Sequence, residues 1–275
     1  MSKSIRTTFK KGIILPSIIF IASIIFFAAV FPAQMGVALD TVKNFIFENL
    51  NWVFIWATNI FIIFLAYLML GKYGKIRLGN NDSRPRHSFF AWISMLFAAG
   101  MGIGLMYFAV AEPMQHYTDP VFAHLSQAER AENAQINTFF HWGIHAWAIY
   151  ALVGLSLAYF SFRYKLPLSL RSGLYPILKD KIYGGWGNAI DVFAFVSTFF
   201  GIVTTLGFGV VQVNAGLDIL GFLPSTEFKY QILIVVILVS LATLSAVSGV
   251  DKGIKMLSTI NIFGVILLLF FVLFM

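Results

Sequence analysis

The 275-residue sequence contains no cysteine. That absence removes a disulfide framework, a thiolate zinc site and cysteine-based catalysis, and it says nothing about compartment. Charge is scarce as well. Asp, Glu, Lys and Arg make up 11% of the chain, against about 25% in an ordinary soluble protein. A soluble globule with so few charges could not cover its surface. Disorder is excluded by the opposite excess, since 59% of the residues are hydrophobic and 17% aromatic. Mean hydropathy is +0.83. These values describe a polytopic membrane protein.

A helix needs about 20 apolar residues to cross the hydrocarbon core. Seven segments qualify, roughly 12–33, 51–71, 89–111, 138–162, 190–223, 231–250 and 256–275. The first follows a basic start (Lys3, Arg6, Lys10, Lys11), as a signal peptide would. Its apolar run from Gly12 to Phe31 is longer than a signal-peptide core, so it reads as a retained helix.

The connecting segments alternate in sign. Sixteen of the 19 Lys and Arg fall at the N-terminus and in the second, fourth and sixth connections. The other three connections, with the outer end of the fifth span, hold Lys43, Arg130 and Lys229 and eight of the 12 acids. The positive-inside rule then places the N-terminus in the cytoplasm, and seven crossings of the plasma membrane put Met275 outside. The net charge of +7 is therefore a topology signal directed at anionic headgroups, not a nucleic-acid footprint. The last span ends in Phe-Val-Leu-Phe-Met with no polar flank, which reads as a chain cut off at the end of a helix.

The informative residues are those that break the apolar pattern. In the third span Gly100, Gly102 and Gly104 alternate in mid-membrane. Each mid-helix Gly costs about 0.8–1 kcal/mol relative to Ala. Small residues also serve close helix packing. Glycines at spacing two, however, do not share one helical face, so a broken helix explains them better. An unwound backbone is tolerated in a membrane only where it is buried in protein or lines a cavity. Gly- or Pro-interrupted spans are the sequence pointer to a transporter site.

The fourth span carries His141, Trp142, His145, Trp147 and Tyr150. On an unbroken helix at about 100° per residue, Trp142, Trp147 and Tyr150 fall on one broad face. Clustered π faces attract a quaternary ammonium cation. From composition alone an interfacial aromatic belt or packing is the plainer account. The i, i+4 histidines have no third metal ligand beside them and read as structural hydrogen-bonding groups. The long fifth span contains Ser197, Thr198, Thr204, Thr205, Gln212 and Asn214. Its hydroxyls suit either sodium or interhelical hydrogen bonds. No Lys, Arg, Asp or Glu sits at the centre of any span, so no buried proton relay is evident.

Three stretches together resemble a known family. Ala98-Ala99-Gly100-Met101-Gly102-Ile103-Gly104-Leu105, continuing to Ala111-Glu112-Pro113, resembles the third helix of the betaine/choline/carnitine transporter family. Phe140-His141-Trp142-Gly143-Ile144-His145-Ala146-Trp147-Ala148-Ile149-Tyr150 resembles its fourth helix. Thr204-Thr205-Leu206-Gly207-Phe208-Gly209, with Gln212, Asn214, Ala215 and Gly216, resembles its fifth.

The resemblance implies a twelve-helix carrier of leucine-transporter type with two inverted five-helix repeats. Residues 1–88 would hold the two leading helices with basic cytoplasmic segments, and 89–275 the first repeat with its broken third helix; the second repeat is absent. It implies a quaternary ammonium substrate, no cofactor, sodium as coupling ion and often a homotrimer. Trp142, Trp147 and Tyr150 would form part of an aromatic box, beside a backbone supplied by Gly100, Met101, Gly102 and Gly104. Carbonyls of Ala98 and Met101 would serve one sodium site, and Thr198 a second. Ile202 stands where that second site expects another hydroxyl. Gly104 stands where proton-coupled choline members tend to carry an acid, which favours sodium and glycine betaine.

The expected function is thus sodium-coupled uptake of glycine betaine by alternating access, with this chain an incomplete carrier that does not transport alone. The alternatives are a proton-coupled choline or carnitine transporter and a passive channel. A seven-helix receptor conflicts with the charge rule, and a retinal protein would need a Lys in 256–275. An enzyme is not expected, because no nucleophile–base pair or acidic metal cluster stands inside a span.

Overall fold

The computed structural model describes residues 10–98, 100 and 102–275. Among them every regular element is helical. In chain order these are α1 Lys11–Val30, α2 Pro32–Asn49, α3 Asn51–Leu70, α4 Phe89–Ala98, α5 Ile103–Met106, α6 Phe108–Thr118 and α7 Gln127–Trp142. They continue with α8 Ile144–Ala158, α9 Leu170–Gly173, α10 Tyr175–Leu178, α11 Gly185–Ile219, α12 Phe228–Ser248 and α13 Lys255–Phe274. Short π-helical turns at Tyr159–Arg163 and Val250–Ile254 extend α8 and precede α13. Six stretches among the described residues are long and apolar enough to cross a membrane: Lys11–Val30, Asn51–Leu70, Gln127–Arg163, Gly185–Ile219, Phe228–Ser248 and Val250–Phe274. The remaining expected span, 89–111, is interrupted.

Burial runs opposite to that of a soluble protein. The buried polar and charged residues include Ser17, Ser94, Ser172, Ser258, Asn214, Glu112 and Arg171, while Leu15, Phe26, Ile63, Phe193 and Phe271 lie exposed. Small residues let helices approach, and lipid is as good a solvent for Leu and Phe as another helix.

Two places depart from the apolar-run reading. Residues 34–49, expected as a connection, belong to the helix α2. Pro32 opens it at the first turn, where a missing N–H costs nothing. The fourth span begins at Gln127 instead of 138, because Ser126 and Glu129 form a capping box ahead of α7. The Ser126 N–H and Oγ each meet Glu129 Oε2, at 2.9 and 2.8 Å, and the Glu129 N–H returns to Ser126 Oγ at 3.4 Å. A count of apolar residues does not see either device.

The chain forms two compact units, Met1–Ser83 with Phe140–Phe200, and Arg84–Phe139 with Gly201–Met275. In the first, α3 lies along α8. The buried ion pair of Arg171 (side chain 3% exposed) with Asp191 (11%) ties α9 to α11: Arg171 Nε donates to Asp191 Oδ2 at 2.7 Å, and Nη1 to the Ile182 carbonyl at 3.2 Å. Arg163 Nη1 reaches the carbonyls of Arg77 (3.1 Å) and Gly79 (3.0 Å) and Asn81 Oδ1 (3.1 Å), holding the loop after α3 against the end of α8.

In the second unit α4 packs along α13, with the Phe90 and Phe263 rings 5.3 Å apart. Arg86 pairs with Asp251 just before both helices, and His87 Nδ1 lies 3.9 Å from the same carboxylate. Between α12 and α13 Gly249 takes φ +85°, a conformation that L side chains rarely adopt.

Candidate functional site

Regular helix is interrupted between α4 and α5, at the glycine stretch. α4 ends at Ala98, and the Gly100 N–H turns back to the Phe97 carbonyl at 2.9 Å, one residue short of α-helical spacing. Gly102 lies in a turn, with open space where a Cβ would project. Gly104 belongs to α5, which is only four residues long. Met101, expected at both the substrate and a sodium site, lies outside the described residues.

A second break follows at Tyr107 (φ −98°, ψ −56°), before α6. This one was not anticipated, because no glycine or proline stands at position 107 to mark it. Within α6, Glu112 is 5% exposed and its Oε1 lies 3.5 Å from His116 Nε2.

The aromatic group on the fourth span is built differently from the single helical face derived above. Gly143 is extended (φ −80°, ψ −153°), so Trp142 ends α7 and Trp147 and Tyr150 stand on α8. The 100° arithmetic therefore holds for Trp147 with Tyr150 alone. Their rings meet edge to face, 5.8 Å apart at 85°. Trp142 is tied in through its backbone, whose carbonyl accepts from Trp147 Nε1 at 3.1 Å. Tyr150 is 45% exposed. The same break removes the i, i+4 register of His141 and His145. The His145 ring lies 4.4 Å from Phe140 and the His141 ring 5.1 Å from Trp142.

On α11, Thr198 Oγ1 donates to the Ala194 carbonyl at 2.8 Å, which leaves its oxygen lone pairs as acceptors. Ile202, one turn on, is 55% exposed and offers no oxygen. Ala98 is the last residue of α4. The aromatic group and Thr198 belong to the first compact unit, and Ala98, Gly100, Gly102 and Gly104 to the second.

Arg163 and Arg171 are two of the basic residues of the fourth connection, and the sequence by itself ties neither of them to another part of the chain. A basic residue that closes a loop or pairs with a buried acid has the same letter as one that faces headgroups. The signal that could have found Arg171 is Asp191, an acid in a span otherwise nearly free of charge.

The chain matches a family model described as "BCCT, betaine/carnitine/choline family transporter" over residues 12–275. It is 46% identical over 268 residues to an uncharacterized transporter of Haemophilus influenzae, covering 98% of this chain and 40% of that protein. A glycine betaine transporter of Acinetobacter baylyi is 42% identical over 264 residues, covering 96% of this chain and 40% of that protein. A high-affinity choline transport protein of Escherichia coli is 42% identical over 241 residues, covering 88% of this chain and 35% of that protein. The chain thus spans about 40% of the length of curated relatives such as the first two. With a broken third span, paired aromatics on the fourth and a match along almost its whole length, this multi-pass membrane chain belongs to the betaine/carnitine/choline transporter family.

Proposed function

We propose that the chain supplies one repeat of a secondary carrier that takes up a quaternary ammonium osmolyte, glycine betaine first, driven by sodium across the plasma membrane. The observation that carries this reading is the edge-to-face pair of Trp147 and Tyr150 beside the helix break at Gly143. Two adjacent π systems on an apolar helix offer a trimethylammonium group a cation–π surface, worth about 0.5–2 kcal/mol per contact and most when desolvated. The broken backbone at Gly100 and Gly102 suits close approach of a carboxylate-bearing substrate, since no Cβ stands in the way.

Sodium enters as co-substrate. Backbone carbonyls at the end of α4 offer hard oxygens for one ion and Thr198 Oγ for a second, and Ile202 leaves the Thr198 site short of a ligand unless Thr204 or Thr205 serves. The basic connections support a cytoplasmic N-terminus. The same family reading carries assembly as a homotrimer. A choline substrate is the second reading, favoured by the similarity to a choline transport protein; Gly104 in place of an acid speaks for betaine.

The test is radiolabelled glycine betaine uptake in transport-deficient cells, with and without sodium. This chain is compared with one extended to the length of its relatives. Saturable, sodium-dependent uptake by the extended chain is the expected result. Non-saturable flux would indicate a channel, and uptake coupled to a proton gradient with choline preferred would indicate the second reading.

A further inference from the structure

We propose that Gln212 is a positioning residue that holds the short helix α5, and with it Gly104, by restoring the hydrogen bond that the break at Tyr107 removes. In a continuous helix the Met106 carbonyl would accept from the Val110 N–H. Here the Val110 N–H turns to the Tyr107 carbonyl at 3.4 Å, and Gln212 Nε2 donates to the Met106 carbonyl at 2.8 Å. A carbonyl released inside a membrane has no water to turn to, so a side-chain donor from a neighbouring helix is what permits the break.

A second contact lies on the same face of α11. Phe208, one turn before Gln212, places its ring 5.6 Å from Tyr107 and 5.7 Å from Phe108. Phe208 and Gln212 thus grip residues 106–108 together, one by ring packing and the other by a directed hydrogen bond. The grip matters because α5 has four residues and a break on each side. A helix that short has no stability of its own, so its place is set by tertiary contacts.

The inference concerns placement. It rests on the transport reading only for its consequence, that moving α5 moves Gly104 within the substrate site. Hydrogen bonds between membrane helices average about 0.6 kcal/mol and reach about 1.7, which converts to about a 3-fold change in a local equilibrium on average and about 18-fold at most.

The test is hydrogen–deuterium exchange in lipid nanodiscs of the carrier extended to the length of its relatives, for the unsubstituted protein, Gln212→Met and Phe208→Leu, with and without glycine betaine and sodium. Met keeps the length of Gln and lacks the donor. Gln212→Asn, one methylene too short to reach, repeats the measurement if Met is not tolerated. Gln212→Met is expected to speed exchange in the peptide covering 107–111 about 3-fold, leaving peptides from α1 and α3 unchanged. It is also expected to raise the betaine concentration for half-protection of 97–106 by a similar factor. Unchanged exchange at 107–111, or equal acceleration throughout the chain, would overturn the proposal. If betaine protects nothing in the unsubstituted extended carrier, the transport reading fails, and the exchange comparison still decides the role of Gln212.

Discussion

Trp147 donates its indole N–H to the backbone carbonyl of Trp142 at 3.1 Å, across the helix break at Gly143. The bond spans five residues, a distance that no regular α-helical pattern provides, and it joins the end of α7 to the face of α8. One residue therefore does two things: its ring meets Tyr150, and its N–H holds the break.

These two roles separate on substitution. Trp147→Phe keeps a π face and loses the donor, whereas Trp147→Ala loses both. In the complete carrier, Trp147→Ala is expected to weaken glycine betaine binding by about 0.5–2 kcal/mol, the range for a cation–π contact. Trp147→Phe should retain part of that affinity. Equilibrium binding of labelled betaine measures both, and equal affinity in all three proteins would remove Trp147 from the site.

The Arg171–Asp191 pair is a structural tie. Removing one partner of a buried pair leaves the other charge uncompensated and costs about 3–5 kcal/mol. Arg171→Gln and Asp191→Asn are each expected to lower the thermal midpoint in detergent substantially, and the double variant by less than the sum. Additive losses would show that the two side chains act independently.

Gly187 and Gly253 are among the glycines held by close approach of neighbouring atoms. A Cβ at Gly187 would fall on the Ile182 carbonyl, and one at Gly253 on Ser248 Oγ and the Ser245 carbonyl. Gly187→Ala and Gly253→Ala are expected to destabilise by about 1–3 kcal/mol, the usual range for overpacking. Gly264→Ala, with open space at its Cβ, is the control and should be near neutral. Thermal melts of the three variants side by side check this.

Ile202→Thr restores a hydroxyl one turn after Thr198. If Thr198 serves sodium, this variant should lower the half-saturating sodium concentration for uptake several-fold, and Thr198→Ala should raise it. A sodium dependence untouched by either change would place the ion elsewhere.

Parts of this arrangement were legible in the sequence for definite reasons. The break at Gly100 and Gly102 is written in residue types, since three glycines at spacing two fit no packing face. The break at Gly143 was not legible, because one glycine in an apolar helix is compatible with continuity. The break at Tyr107 has no sequence mark at all. The start of α7 was available in the Ser126–Glu129 spacing and was masked by the polarity of 127–137.

What the sequence determined by itself is the membrane class, the apolar spans and the glycine interruption of the third, because these follow from hydrophobic length and backbone propensity, both local properties. Tertiary structure alone decided which faces meet: Arg171 with Asp191, Gln212 with the Met106 carbonyl, Arg163 with the loop at 77–81. The physical reason is that a helix apolar on all sides has no amphipathic stripe to point its partners out. Its orientation is set instead by where a few polar groups find one another.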